Sequence, residues 1–151
     1  MTEADTYLRY KRSKFATRLP LERRYTAAHM WVWDQGDDLW RVGFTKFAQR
    51  MLGEAVEFEF EVSEGDAVET GQVVGWIEGF KAVTDLFSPM TGTFAGSNPS
   101  LDQGLEPLQA SPYEKGWLFA VRGQPDPAAL DAEGYTAHLD ETIDRMQGKG
   151  E

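Results

Sequence analysis

The chain reads as mainly β with a few short helices, and three observations carry that reading. Val56-Glu57-Phe58-Glu59-Phe60-Glu61-Val62 alternates apolar and acidic residues strictly, the pattern of a half-buried strand. Val73 to Ile77 and Val83 to Phe87 are β-branched and aromatic runs on either side of the small-residue break Glu78-Gly79-Phe80-Lys81-Ala82. Met30 to Trp33 and Leu39 to Phe44 flank the turn residues Asp34-Gln35-Gly36-Asp37, a hairpin signature.

The elements follow in order. Residues 1–24 form a basic N-terminal extension in which Tyr7, Leu8, Tyr10, Phe15, Leu19 and Leu21 alternate with cations. Such an arm either packs on the body through those apolar residues and charge, or docks a partner. The main domain spans 25–147, and 148–151 is read as a frayed tail. Thr45 can cap a short helix over Lys46 to Leu52, ended by Gly53, with Phe47, Ala48, Met51 and Leu52 on one face. The carboxylates of Glu57, Glu59 and Glu61 share a strand face about 7 Å apart with no histidine, so they read as a solvated row rather than a metal site. Glu64-Gly65-Asp66 is a turn, and Ala67 to Val74 leads to the central hairpin with a break at Gly71. Another strand begins at Gly92-Thr93-Phe94, and Asn98 to Gln109 reads as a loop. Tyr113 to Arg122 is the last strand, with Trp117, Phe119 and Val121 pointing inward. Asp126-Pro127 opens a short helix, and a second helix covers Tyr135 to Met146.

At 151 residues, 41% hydrophobic and with five tryptophans, the chain can bury one domain core. No apolar run approaches the ~20 residues needed to span a bilayer, and no signal-peptide pattern stands out, so the expected location is cytoplasmic with no membrane partner. Zero cysteines exclude disulfides, thiolate metal sites and a protein thiol nucleophile. The net charge of −10 is uneven. Residues 1–24 hold seven Lys or Arg against three acids, and the remainder holds eight against 22. An acidic body disfavours nucleic acid and suits encounter with basic enzyme surfaces.

Lys81 is the only basic residue between Arg50 and Lys115. It lies at or beside a hairpin tip, where Gly79 supplies a permissive backbone. A solubilising turn lysine would look the same in isolation. Enzyme machinery is otherwise sparse. His29 reads as a structural histidine on a strand beside Trp31, and His138 as helix surface. No phosphate loop, metal spacing or catalytic triad stands out.

Glu78-Gly79-Phe80-Lys81-Ala82-Val83-Thr84-Asp85-Leu86-Phe87-Ser88-Pro89 resembles the lipoylation motif of the glycine cleavage H-protein family, whose usual form is Glu-Ser-Val-Lys-Ala-x-Ser-Asp-x-x-Ser-Pro. Tyr25-Thr26, His29-x-Trp31-Val32, Val42-Gly43-Phe44-Thr45, Phe47-Ala48-Gln49 and Pro112-Tyr113-x-x-Gly116-Trp117-Leu118 agree with other stretches of that family. The resemblance covers roughly 120 residues, from Tyr25 to the C-terminal helix. It implies a barrel-sandwich hybrid fold. It also implies a non-enzymatic carrier with lipoic acid amide-linked to Lys81. Lipoate ligase or assembly enzymes and a dihydrolipoyl dehydrogenase are implied partners. The arm and its cleft would be lined by Glu78, Gly79, Phe80, Asp85, His29 and Met30.

The family holds the cationic amine of its aminomethyl group with a Ser, a Glu and an Asp. Here the Asp remains as Asp85, but the Ser and Glu positions carry Ala28 and Met30. Losing a carboxylate and a hydroxyl weakens an ammonium site, because charge-assisted hydrogen bonds are the strong ones. That departure, with Gly79-Phe80 and the N-terminal stretch Tyr10 to Pro20, makes the chain similar to H-like lipoate-binding proteins. Those proteins work with the heterodisulfide-reductase-like complex of bacterial sulfur oxidation. The leading expectation is therefore a lipoyl arm carrying a sulfur-bound intermediate. The alternative is a glycine cleavage H protein serving glycine decarboxylase and aminomethyltransferase. Biotinyl carriers usually flank their lysine with methionines, unlike Phe80 and Ala82. A β-sandwich interaction module with an unmodified lysine is the alternative of another class.

Overall fold

A computed structural model describes residues 6–149. Eleven strands and three α-helices form two main sheets and a separate hairpin among the described residues. The larger sheet runs β3(Arg24–Tyr25)-β4(Met30–Asp34)-β5(Leu39–Phe44)-β11(Phe119–Pro125)-β10(Met90–Ser97)-β7(Ala67–Val68). The smaller sheet is β6(Ala55–Phe60)-β8(Val73–Gly79)-β9(Val83–Phe87). Between them lies a core of Met30, Val42, Val74, Ile77, Leu86, Phe94, Phe119 and Val121 with their neighbours. The expected mainly β sandwich-like architecture is present, with the helices at its margins.

A second apolar cluster holds the outer elements. Phe15 and Leu19 from the N-terminal hairpin meet Phe47 of α1(Lys46–Leu52) and Tyr135, Leu139 and Ile143 of α3(Ala132–Lys149). Burying one such side chain contributes about 1.5–3 kcal/mol. The hairpin β1(Tyr7–Arg12)–β2(Phe15–Pro20) is a two-stranded sheet of its own. Arg12 donates to both carboxylate oxygens of Asp144 at 2.8 Å, and the Tyr10 hydroxyl donates to Asp140 at 2.7 Å. Hence the arm packs on the body through Leu8, Tyr10, Phe15, Leu19 and Arg12, while Tyr7 and Leu21 stay exposed. Residues 1–5 of that arm lie outside the described residues.

Several elements differ from expectation. Val56 is 48% exposed, because a bulge between Ala55 and Glu57 breaks the alternation with β8. The last strand begins at Phe119 rather than Tyr113. The preceding segment is held instead by Asn98, whose amide donates to the carbonyls of Lys115 and Trp117. Trp117 is only half-buried, with the Arg41 guanidinium 4.5 Å from its ring. The stretch read as a loop contains a 3-10 turn at Pro99–Gln103 and a short helix α2(Pro107–Ala110). Asp126-Pro127 makes one turn and no helix, because Leu130 is drawn into a bridge with Tyr25. Helix α3 starts at Ala132 and continues through Lys149, covering part of the expected frayed tail; 150–151 lie outside the described residues.

Candidate functional site: a lysine at a braced hairpin tip beside an apolar cleft

Strands β8 and β9 pair antiparallel out to Glu78 and Val83, leaving Gly79-Phe80-Lys81-Ala82 as the turn. Its backbone is tied in three places. Gly79 N–H donates to Ala82 O at 2.8 Å, Phe80 N–H to Glu54 O at 3.0 Å, and Lys81 N–H to Leu52 O at 3.0 Å. The tip therefore leans on the C-terminal end of α1. Gly79 has a different reason from the one expected. Its φ is not left-handed, but a Cβ there would stand 2.3 Å from the Leu52 carbonyl oxygen. Glycine is needed for the close approach of two backbones. Lys81 itself is exposed, with its Nζ 3.2 Å from the carbonyl oxygen of Arg50.

A cleft of about 310 Å³ opens immediately beyond Lys81. Helix α1 lines one wall through Phe47, Ala48, Met51 and Leu52, and the hairpin lines another through Ala82, Val83 and Thr84. Ala28, His29 and Phe44 complete it. No carboxylate is among these residues. Met51 is 45% exposed although it belongs to the apolar face of α1, because that face opens on the cleft.

His29 is the one ring nitrogen donor set in the cleft lining, and a buried relay governs it. Thr45 caps α1: its hydroxyl oxygen accepts from Ala48 N–H at 3.3 Å. Thr45 is fully buried and its own proton must find an acceptor; the Tyr135 hydroxyl oxygen lies 2.8 Å away. The Tyr135 proton is then directed to His29 Nδ1, also at 2.8 Å. This assigns His29 the tautomer with hydrogen on Nε2. Burial, and second the neighbouring His138, lower the His29 pKa to about 4, so the ring is neutral at pH 7. Burial pushes the Tyr135 phenol up. His29 does not sit on the strand as expected. It occupies the turn before β4 with φ of 66°, held by its N–H to Thr26 O. His138 is not merely helix surface either: its ring stacks on His29 at 5.0 Å.

The model of the family described as "Glycine cleavage H-protein" matches residues 23–141. The chain belongs to the glycine cleavage H-protein family. It is 44% identical over 128 residues to the glycine cleavage system H protein of Kocuria rhizophila, covering 82% of this chain and 99% of that one. It is 39% identical over 129 residues to the H protein of Edwardsiella ictaluri, with 83% and 99% coverage. The crystal structure of a glycine cleavage system H protein from Mycobacterium marinum superposes with a TM-score of 0.72 at 29% identity, covering 81% of this chain and 99% of that one. H proteins are non-enzymatic carrier components, and so is this chain. Their cofactor is lipoate, attached covalently to a lysine.

The residues present fit such a group. An exposed lysine stands on a braced tip, and the adjacent apolar cleft suits an aliphatic chain ending in a dithiolane. Of the residues expected to line the arm and its cleft, His29 lines this cleft, and Glu78, Gly79 and Phe80 lead into Lys81 at the tip. Met30 is 2% exposed within the central core, because β4 turns it inward between the sheets. Phe80 is 75% exposed at the tip and lies outside the cleft. Glu78 is half-buried on β8, and Asp85 is exposed on β9 opposite Trp76, outside the cleft lining. The α1 wall, Thr45 and Tyr135 were not legible as site residues. The apolar face of α1 was visible in sequence, but nothing there separates a cleft wall from core.

Proposed function

We propose that Lys81 bears lipoate through an amide bond and that the chain is a glycine cleavage H protein, carrying the aminomethyl group between glycine decarboxylase and aminomethyltransferase. The observation that carries this reading is the family match over 23–141, with Lys81 alone at the braced tip beside the cleft. When bound, the lipoyl group would supply a disulfide that accepts the two electrons released as glycine loses CO2, so that one sulfur takes the aminomethyl group and the other becomes a thiol. The protein's own work is positional. The three backbone bonds of the tip fix where the tether starts, while the tether's length raises the local concentration of its end at a docked enzyme. Amide formation removes the charge of Lys81, leaving the tip free of a cation that would oppose entry into an apolar wall. Phe47, Met51 and Val83 offer apolar contact, and His29 brings a neutral imidazole to the wall.

A second reading, a sulfur-bound intermediate presented to a heterodisulfide-reductase-like complex, is favoured by the cleft's chemistry. Ala28 stands where the family has Ser, Met30 is turned into the core, and among the described residues no carboxylate lines the walls. A neutral imidazole suits a sulfur or carbonyl acceptor better than an ammonium group.

Two measurements test these readings. Intact mass and peptide mapping of protein from its native host should place a lipoyl increment on Lys81; an unmodified lysine in a host that lipoylates its other carriers would overturn the carrier reading. The oxidised holoprotein is then offered glycine with glycine decarboxylase, and the reduced holoprotein is offered sulfane sulfur. Glycine-dependent loading supports the first reading, and loading by sulfur alone replaces it with the second.

A further inference from the structure

The family match begins at residue 23, so the β1–β2 hairpin lies before it. Its inner face is spent on packing. Its outer face is basic. Arg9, Lys11 and Arg18 are exposed, and with Lys46 they line one surface groove that no carboxylate of the described residues enters. Among the described residues no carboxylate pairs with any of these four, whereas Arg12 on the same hairpin is paired with Asp140 and Asp144. Arg9 and Arg18 stand directly opposite each other in the register. Like charges in that relation are destabilising, so the arrangement is costly to the fold and needs another use.

The hairpin also adjoins the carrier lysine. Arg50 reaches from one to the other: its Nη1 lies 3.5 Å from Lys14 O in the β1–β2 turn, and its own carbonyl oxygen accepts from Lys81 Nζ. An enzyme that takes up an arm from Lys81 must cover ground beside this turn.

We infer that the outer face of β1–β2 is a docking surface for an acidic patch at the arm entrance of the enzyme that receives the arm. The inference rests on the carrier reading of Lys81. The charge distribution selects this occupant. The chain outside 1–24 holds 22 acids against eight cations, and an extended polyanion or a flat anionic membrane would meet that field as well as the hairpin. A protein whose acidic patch is confined to its entrance meets the cationic face alone. Opposite charge there raises the association rate and fixes the approach of the tip.

The test uses the full lipoylated chain and a triple variant, Arg9→Ser with Lys11→Ser and Arg18→Ser. Binding to glycine decarboxylase of the same organism is measured at low and physiological salt, alongside glycine-dependent loading. The expected result is binding weakened about tenfold in the variant, with a flatter salt dependence and loading at saturating enzyme unchanged. Its melting temperature should equal or exceed that of the parent, since the Arg9–Arg18 repulsion is gone. Restoring Arg9→Lys and Arg18→Lys with native Lys11 should restore binding. Equal affinity and salt dependence in parent and variant, with both loaded, would overturn the inference and leave the carrier reading standing. A parent that neither binds nor is loaded would remove the glycine cleavage reading and this occupant together. Stronger binding to duplex DNA, to phosphatidylglycerol vesicles or to a second copy, lost in the variant, would assign the face to that occupant and overturn the one inferred.

Discussion

The backbone N–H of Lys81 donates to the carbonyl oxygen of Leu52 at 3.0 Å, so the tip of one hairpin is fastened to the end of a helix 29 positions earlier in the chain. That single bond joins the two walls of the cleft, since Leu52 ends α1 and Ala82 follows Lys81.

Replacing Lys81 with Arg keeps a cation at the tip but removes the amine on which the proposed amide would form. The backbone bonds of the tip do not depend on the side chain, so the melting temperature should stay within about 1 °C of the parent, the scale of an ordinary exposed substitution. Mass spectrometry should show no lipoyl increment, and glycine-dependent loading should vanish. Residual loading would mean another residue carries the group.

Gly79→Ala places a methyl 2.3 Å from the Leu52 carbonyl oxygen, and backbone must move to admit it. The expected cost is about 1–3 kcal/mol, the range for forced overpacking. Urea unfolding measures the loss. Lipoylation by the host ligase should slow several-fold because the lysine is displaced with the tip. A neutral substitution would show that the α1–hairpin contact is loose.

Tyr135→Phe keeps the ring stacked on Tyr25 at 4.9 Å but deletes the hydroxyl between Thr45 and His29. The buried Thr45 hydroxyl then loses its acceptor. A destabilisation of about 1–3 kcal/mol is expected in chemical denaturation. In 15N spectra of the histidine rings, the His29 tautomer should lose its single-form signature. An unchanged tautomer would disprove the relay.

The stability of the protein should fall with acidity through the His29 range. The folded pKa is lowered to about 4 while the unfolded value is near the ordinary 6.5, so the unfolded chain binds the proton first as pH drops. Stability is therefore complete above about pH 6.5 and is lost as pH falls towards about 4, amounting to roughly 2 kcal/mol once partial exposure is allowed for. Paired melts of parent and His29→Gln across pH 4 to 7.5 isolate this contribution, because the paired Asp144, held low by Arg12, is common to both. Parallel pH profiles would mean that His29 titrates normally.

The sequence by itself determined the strand patterns, the Thr45-capped helix, the turn that offers Lys81, and the family. These are local: alternation, capping and turn chemistry act over a few residues, and the motif around Lys81 is contiguous. Only the tertiary structure decided which side chains share the cleft. Met30 and Ala28 are two positions apart, yet one enters the core and the other the cleft, because the left-handed turn at His29 sets the phase of β4. Tyr135 reaches His29 across 106 positions, and Gly79 owes its place to Leu52 rather than to a bend of its own. Contacts of that separation depend on how α1, α3 and the two sheets pack, and no local periodicity encodes the distance between elements that meet only after folding.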